Sequence, residues 1–273
     1  MTKGNDFIFL YIPKTGSSYT LSIFKEINRK LNKPKYFLKE RKLKVKNIYS
    51  KRIRYYSITP EKSQHTTVSQ ISNDTLRKRQ LYSIIRNPHY GYISRFEYKH
   101  YAKPTWKDDP KYVNLVKSNF PDFPNISFEE YIKLANIISN DKMHNKIGVK
   151  SRVTIGALSL QFILMFAFDP KKVLEIIDHD FFTNYKIENY FPEIIFLNNE
   201  NLTSELYNVL LNHGYPRKFL NFMSNSGRKN VSVKKPYNSY LNNTTKNQII
   251  EIEWFLYEFF FTHKSQWIEA ANK

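Results

Sequence analysis

The chain has 273 residues, with 43 lysines and arginines against 24 aspartates and glutamates, so its formal net charge at pH 7 is +19. Hydrophobic residues make up 41%, which excludes a disordered chain, and the absence of cysteine excludes disulfides, thiolate metal sites and a cysteine nucleophile. Such a charge favours an anionic partner: a nucleotide, a nucleic acid, an acidic glycan or a membrane surface.

The apolar runs are too short to cross a membrane. The runs at residues 7–12 and 254–261 have six and eight residues, and the second contains Glu258, whereas a span needs about 20 residues. The first residues also lack the length and the cleavage site of a signal peptide. We therefore expect a soluble, cytoplasmic protein without a membrane span, while leaving open an anchor upstream of this sequence.

The first part of the chain predicts alternating strands and helices. Residues 7–12 are apolar on both faces, as in a buried parallel strand. Residues 17–32 have the spacing of apolar side chains that is typical of a helix. Further strands are predicted over residues 53–58 and 81–85, and Pro88 opens the next helix.

The second part predicts capped helices and one late strand. Ser127 and Asp169 are placed to cap two helices, and residues 193–197 predict a strand. A helix follows over residues 202–213, and a single long amphipathic helix is predicted over residues 245–263. Because strands and helices alternate, we expect an α/β fold with a mostly parallel sheet, in a single domain over the whole chain.

Basic residues are concentrated in two stretches. Residues 25–62 hold 14 basic and 3 acidic side chains, so this stretch supplies +11 of the net charge. A second cluster lies in the polar stretch 215–243. Such runs are either a solvated surface or a face that binds an anion.

The first motif, Pro13-Lys14-Thr15-Gly16-Ser17-Ser18, joins a predicted buried strand to a helix. Ligands bind at this position in open α/β sheets, and the N–H groups of a helix N-terminus suit a phosphate. Gly16 allows close approach of the backbone, and Lys14 adds a positive charge. Hydroxyl donors come from Thr15, Ser17 and Ser18. The alternative is a tight turn with a serine cap, and the Gly-Lys-Ser/Thr order of a Walker A loop is absent.

The second motif is Arg86-Asn87-Pro88 with Ser94, after another predicted buried strand. A charge at the end of an apolar run is rarely left unpaired. An arginine fork and a serine hydroxyl can share one phosphate. The alternative is a surface arginine at a strand end.

Together the two motifs resemble the sulfotransferases that use 3′-phosphoadenosine 5′-phosphosulfate (PAPS). In that family the first motif holds the 5′-phosphosulfate, and an arginine and a serine, spaced like Arg86 and Ser94, hold the 3′-phosphate. The strong resemblance covers about residues 5–101, and a weaker one, to the carbohydrate branch that includes glycan 2-O-sulfotransferases, extends to the C-terminus. It implies a three-layer, P-loop NTPase-like sulfotransferase fold, with helices flanking the central sheet.

The resemblance also implies roles for individual residues. The 5′-phosphosulfate would be bound by Lys14, Thr15, Gly16, Ser17, Ser18 and Tyr19. Arg86 and Ser94 would bind the 3′-phosphate, and Arg228 and Lys229, in a basic segment late in the chain, would also contact it or would lie in a solvated loop.

Catalysis needs a cation at the leaving oxygen and a base for the acceptor proton. Lys14 would stabilise the leaving phosphate. His65 lies where the resemblance places a catalytic histidine, and because an imidazole can accept a proton at working pH, it is the expected base. Glu61 is the nearest rival, because other branches of the family use a glutamate. No metal site is expected.

The expected reaction moves a sulfuryl group from PAPS to a hydroxyl, leaving 3′-phosphoadenosine 5′-phosphate (PAP). The basic run at residues 25–62 favours an anionic glycan as the acceptor. Two alternatives are a nucleotide-dependent phosphotransferase and a non-enzymatic protein that binds polyanions such as nucleic acid. Neither alternative explains both anion motifs at once.

Overall fold

The structure is a computed structural model that describes residues 1–4, 6–31, 54–55, 65–102, 110–224 and 235–263. The chain divides into two compact units. The first comprises Met1–Arg86 and Pro192–Val231, and the second comprises Asn87–Phe191 and Ser232–Lys273. Because each unit draws on two separate stretches, one cut in the chain would not divide it into these units. The single domain expected from the sequence stays a prediction.

The first unit contains a sheet. Its described strands are Thr2–Lys3 (β1), Phe7–Phe9 (β2), Arg54–Tyr55 (β3), Gln80–Ile85 (β4) and Ile194–Asn198 (β5). They are ordered β3-β1-β2-β4-β5. The three longer strands, β2, β4 and β5, run parallel, and β1 and β3 add antiparallel pairs. The predicted α/β class with parallel central strands is therefore confirmed.

The central strands β2 and β4 consist mostly of apolar residues, and these residues are buried. Every residue of β2 is buried, and Leu81 to Ile85 of β4 are buried as well. This pattern is typical of parallel strands that are covered on both faces. The first strand is shorter than predicted: Leu10 N–H still donates to Tyr82 O (2.8 Å), after which the chain turns towards Pro13.

The described helices, in chain order, are α1 (Ser17–Leu31), α2 (Asn73–Arg77), α3 (Pro88–Glu97), α4 (Pro110–Asn119), α5 (Phe128–Asp141), α6 (Ala157–Phe166), α7 (Pro170–Ile176), α8 (Phe181–Asn184), α9 (Leu202–Asn212), α10 (Arg217–Leu220), α11 (Asn243–Ile252) and α12 (Trp254–His263). Among the described residues, none of these helices is long and apolar enough to cross a membrane.

In the first unit, α1, α9 and α10 bury their apolar sides against one face of the sheet. The core of this unit includes Phe7, Phe9, Phe24, Ile27, Leu206, Leu210 and Leu220. The apolar spacing that predicts α1 thus marks the face that packs on the sheet. This packing fixes the position of α1, which follows β2 after residues 10–16.

In the second unit, the predicted helix caps are confirmed. Ser127 Oγ accepts from Glu130 N–H, and the Glu130 carboxylate accepts from Ser127 N–H, which closes the capping box of α5. Asp169 caps α7 by accepting from Lys172 N–H (3.1 Å). Such caps satisfy amides that the first turn of a helix leaves without partners.

The single long helix predicted over residues 245–263 is wrong, because the chain forms α11 and α12 with Glu253 between them. Glu253 is fully buried. Its carboxylate accepts hydrogen bonds from Leu158 N–H (2.9 Å), Ser159 N–H (2.7 Å) and the Tyr92 hydroxyl (2.7 Å). Because the N-cap residue of α6, Gly156, has no side chain to cap the helix, the distant carboxylate does so instead.

Candidate anion-binding site

The segment from Pro13 to Gly16 connects β2 to α1 at the carboxyl end of the parallel strands. Lys14 has φ +68° and Gly16 has φ +99°, so the backbone takes left-handed conformations at both. A Cβ atom on Gly16 would lie 2.7 Å from Leu202 Cδ2 and 2.8 Å from Asn199 Nδ2. The glycine is therefore required both by its φ and by the closeness of these two side chains.

Two side chains from neighbouring strand ends hold the carbonyls of this loop. Arg86, directly after β4, donates from Nη1 to Lys14 O over a long 3.5 Å. Asn199, directly after β5, donates from Nδ2 to Thr15 O (2.8 Å). In a trans peptide the carbonyl and the N–H point in opposite directions. The N–H groups of Thr15 and Gly16 therefore point away from Arg86 and Asn199.

The first turn of α1 adds further main-chain donors. Thr20 N–H donates to Gly16 O (3.1 Å), which is the first hydrogen bond of the helix. Helix geometry leaves the N–H groups of Ser17, Ser18 and Tyr19 without acceptors inside the helix. These groups, with the positive end of the helix dipole, form a site suited to an anion.

The hydroxyls of the loop are placed differently from the expectation that they donate to a phosphate. Thr15 Oγ1 donates to Ile12 O (3.0 Å), and Ser17 Oγ donates to the same carbonyl (2.5 Å). A hydroxyl has one hydrogen, so each would have to rotate away from Ile12 before donating to a ligand. In this arrangement both side chains shape the loop, while Ser18 is exposed to solvent.

Tyr19 is a core residue in this structure. Its ring is 6% exposed, and its hydroxyl accepts a hydrogen bond from Thr203 Oγ1 (2.9 Å) on α9. The buried ring packs in the core of the first unit. Tyr19 can therefore serve the predicted site through its backbone N–H.

Arg86 extends the positive charge of the loop. The side chain is half-buried, and its Nε atom is buried. Among the described residues, no acceptor bonds to this Nε–H. A buried donor without a partner is costly, and an anionic oxygen would relieve that cost.

His65 lies at the same end of β2 as the loop. Its Nδ1 atom is 2.8 Å from Tyr11 O, and the ring is half-buried. Because a carbonyl oxygen can only accept, Nδ1 carries the hydrogen, and Nε2 of the neutral ring carries the lone pair. This tautomer presents Nε2 as the basic atom.

Other predicted site residues are not brought to this loop by the described structure. Ser94 lies on α3 in the second unit and is 4% exposed. Its pairing with Arg86 stays a prediction. Arg228, Lys229 and the rival base Glu61 lie outside the described residues. Within the described part of the chain, no three histidine or acidic side chains gather to hold a metal ion.

Asn199 is a residue of the candidate site that the sequence analysis does not identify. It contacts the loop through the Thr15 carbonyl and lies within 3 Å of the position of a Gly16 Cβ. Its signal in the sequence is a pair of polar residues, Asn198 and Asn199, after the strand predicted over residues 193–197. That signal becomes specific once β5 is known to pair with β4, because the carboxyl ends of both strands then lie at the same edge.

Comparison with known proteins adds no relative: no protein-family model matches the chain, and no curated protein matches it significantly. The chemistry must therefore be inferred from the residues of the site. These are a main-chain donor site at the start of α1, a lysine in the loop, an arginine after β4 and a histidine with its basic nitrogen defined.

Proposed function

We propose that the chain is a PAPS-dependent O-sulfotransferase that transfers the sulfuryl group to a hydroxyl of an anionic carbohydrate. The observation that carries this proposal is the meeting of the two anion motifs: Arg86 Nη1 lies 3.5 Å from Lys14 O. The proposal includes the three-layer, P-loop NTPase-like sulfotransferase fold, with which the parallel strands β2, β4 and β5 are compatible.

The 5′-phosphosulfate would bind at the start of α1. The N–H groups from Thr15 to Tyr19 supply donors, and the helix dipole adds partial positive charge. Lys14 adds a full charge on a flexible stem that can follow the leaving oxygen. Arg86 and Asn199 hold the carbonyls of Lys14 and Thr15, respectively, on the other side of the loop, which supports this arrangement of donors.

The 3′-phosphate would bind to Arg86, together with Ser94 and, in the later basic segment, Arg228 and Lys229. The guanidinium can hold two phosphate oxygens at once through its planar donors. Its place directly after β4, where Nη1 lies 3.5 Å from Lys14 O, supports a part in binding an anion beside the loop. A specific 3′-phosphate site would distinguish PAP from nucleotides that lack this group.

In the transfer step, the acceptor oxygen forms a bond to sulfur while the bond from sulfur to the 5′-phosphate oxygen breaks. The hydroxyl proton passes to Nε2 of His65, and PAP leaves with the electron pair of the broken bond. Lys14 neutralises the charge that develops on the leaving oxygen. The Nδ1–H bond from His65 to Tyr11 O orients the ring and stabilises the imidazolium that forms.

Binding of PAP and of ADP, measured by calorimetry, tests the nucleotide site. Arg86→Ala should weaken PAP binding by about 1.5–3 kcal/mol, as expected for a charged hydrogen-bond partner, and should change ADP binding less. Arg79→Ala is the matched control: it removes the same charge just before β4, and its Nε is also buried and unpartnered among the described residues. Equal PAP affinity in both variants would remove Arg86 from the site.

Transfer of labelled sulfate from PAPS tests the reaction. The acceptors are desulfated heparosan-type and chondroitin-type glycans, a tyrosine peptide and a phenol. His65→Ala should retain PAP binding and lower turnover by about 10²–10⁴-fold, while His179→Ala, at an exposed histidine of the second unit, should not. Near-normal turnover of His65→Ala would transfer the role of base to another group such as Glu61. Absence of both labelling and PAP binding would refute the proposed function.

A further inference from the structure

Residues 142–152, here called the basic segment, follow α5 in the second unit. The basic segment contains no acidic residue. Its basic side chains are all exposed: Lys142, His144, Lys146, Lys150 and Arg152. Positive charge is therefore concentrated on one short, accessible part of the chain.

Among the described residues, the lysines of the basic segment have no acidic partner, unlike three other exposed lysines. Lys78, Lys133 and Lys171 pair with carboxylates four residues away, at 2.6, 3.0 and 3.9 Å. Within the described residues, none of the lysines or the arginine of the basic segment forms a salt bridge. Their charges are thus available to an external anion.

The cations are close enough to repel one another. The pKa of Lys142 lies below its usual value, first because nearby protein atoms desolvate the ammonium, and then because Lys146 and Arg95 repel its charge. Arg95, on α3, donates to the Gln161 side chain, which holds its guanidinium in place. An anion that bridged these groups would relieve the repulsion.

The backbone of the basic segment has a defined conformation. Residues Lys142–Ile147 form a π-helical turn, a rare form that is frequent at functional sites. Met143 and Val149 are both 2% exposed, and Val149 N–H donates to Met143 O (3.2 Å). These two buried residues fix the segment to its unit, so the exposed lysines pay less conformational entropy on binding than those of a free loop.

We propose that the basic segment, with Arg95, is a binding surface for the sulfate and carboxylate groups of a linear anionic polysaccharide. In the proposed function this polysaccharide is the acceptor. Only this acceptor role rests on the proposed function; the binding of the polysaccharide to the basic segment does not. The segment contains no phenylalanine, tyrosine or tryptophan on which successive bases could stack, which favours a polysaccharide over a single-stranded nucleic acid.

A simpler reading is that lysines at the end of α5 complement its helix dipole. That reading applies to Lys142 and Lys146, which lie within the turn that follows α5. It does not apply to Lys150 and Arg152, which lie beyond Gly148, where φ is +74° and the helical path ends. The surface therefore extends further than helix capping requires.

Two triple variants that lower the net charge equally test the inference. The first is K142Q/K146Q/K150Q in the basic segment. The second, K78Q/K133Q/K171Q, removes three exposed lysines that already have partners. The probes are a heparin octasaccharide, neutral dextran and an RNA duplex of matched charge, with binding measured by calorimetry at two salt concentrations. PAP binding is measured in parallel as a check on the fold and the nucleotide site.

The first triple should weaken heparin binding by about tenfold or more and reduce its dependence on salt, whereas the control triple should change it by less than about twofold. PAP binding should be the same in both. In the transfer assay, the first triple should raise KM for the acceptor and leave kcat unchanged.

Each result that contradicts these expectations has a different consequence for the surface and for the proposed function. Equal losses in both triples, or heparin binding no tighter than dextran binding, would overturn the surface and leave the proposed function standing if PAP still binds. Tighter binding of RNA that is weakened by the first triple would replace the polysaccharide with a nucleic acid and overturn the inference. A heparin loss specific to the first triple, in a chain that does not bind PAP, would support the surface and refute the proposed function.

Discussion

Replacing Gly16 with alanine perturbs the candidate anion-binding loop at its most tightly packed point. The new Cβ would lie 2.7 Å from Leu202 Cδ2 and 2.8 Å from Asn199 Nδ2. Real Cβ atoms do not approach so closely, so the loop or both neighbours must move. The residue must also keep φ near +99°, a conformation that L residues with side chains rarely adopt.

The expected loss of stability has three parts. A left-handed conformation costs an L residue about 1–2 kcal/mol, and overpacking costs about 1–3 kcal/mol. Displacing Asn199 weakens its bond to Thr15 O, which contributes about 1 kcal/mol. Lower entropy of the unfolded alanine chain offsets about 0.4–1 kcal/mol of this. We therefore expect the free energy of unfolding to fall by about 2–5 kcal/mol.

Urea unfolding followed by far-UV circular dichroism measures the fall in the free energy of unfolding. A second variant, Gly148→Ala, separates the contribution of backbone strain from that of packing. Gly148 has φ +74°, but a Cβ there would meet no atom within 4 Å. Gly148→Ala should therefore cost the backbone part alone, about 1 kcal/mol. Adding Asn199→Ala to Gly16→Ala should recover part of the loss by removing one of the two close neighbours. The packing argument fails if Gly16→Ala is no more destabilising than Gly148→Ala.

Three further predictions concern buried polar groups. Glu253→Ala should lower the free energy of unfolding by about 3 kcal/mol, because it leaves the half-buried Leu158 N–H and the buried Ser159 N–H without their acceptor; an unchanged urea midpoint would contradict this role. Burial raises the pKa of Glu253 from 4.5, although its hydrogen bonds oppose the shift. The folded chain therefore holds this proton more tightly than the unfolded chain, so the stability of the wild type relative to Glu253→Gln should fall as pH rises from about 4.5 through the folded pKa. If urea unfolding across that pH range shows that this relative stability rises with pH, the predicted direction of the pKa shift is wrong. In a double-mutant cycle, Tyr19→Phe and Thr203→Val should couple by about 1 kcal/mol through their 2.9 Å hydrogen bond, and strictly additive losses would show that the bond contributes nothing.

The elements that follow from local signals were predicted well. The apolar run of β2, the helical spacing of α1 and the caps at Ser127 and Asp169 each act within a few residues. The two-residue strands β1 and β3 exist through pairing and carry too little sequence for a periodic signal. The break between α11 and α12 at Glu253 cannot be predicted locally, because Glu253 caps the start of α6, which is distant in the sequence.

Only the part of the candidate site that depends on short sequence motifs can be predicted from the sequence. The loop residues Lys14 and Gly16 and the strand-end residue Arg86 form short motifs, and the structure brings Arg86 to the loop. The bonds of Thr15 and Ser17 to Ile12 O, and the contact of Asn199, depend on how the chain folds back on itself. Residue type alone could not distinguish a hydroxyl that meets a ligand from one that shapes the turn.

The pairing of β4 with β5 has a consequence for synthesis. Leu81 pairs with Ile194, 113 positions later, and the stretch Asn87–Phe191 of the second unit comes between them. At typical rates of translation, β5 follows β4 out of the ribosome after roughly 6–23 s. During that interval a nascent chain already carries both anion motifs, yet Leu202 and Asn199, which shape the loop around Gly16, have not been made. An amino-terminal fragment with intact motifs should therefore lack the native conformation of the loop around Gly16 until β5, Asn199 and Leu202 have been made.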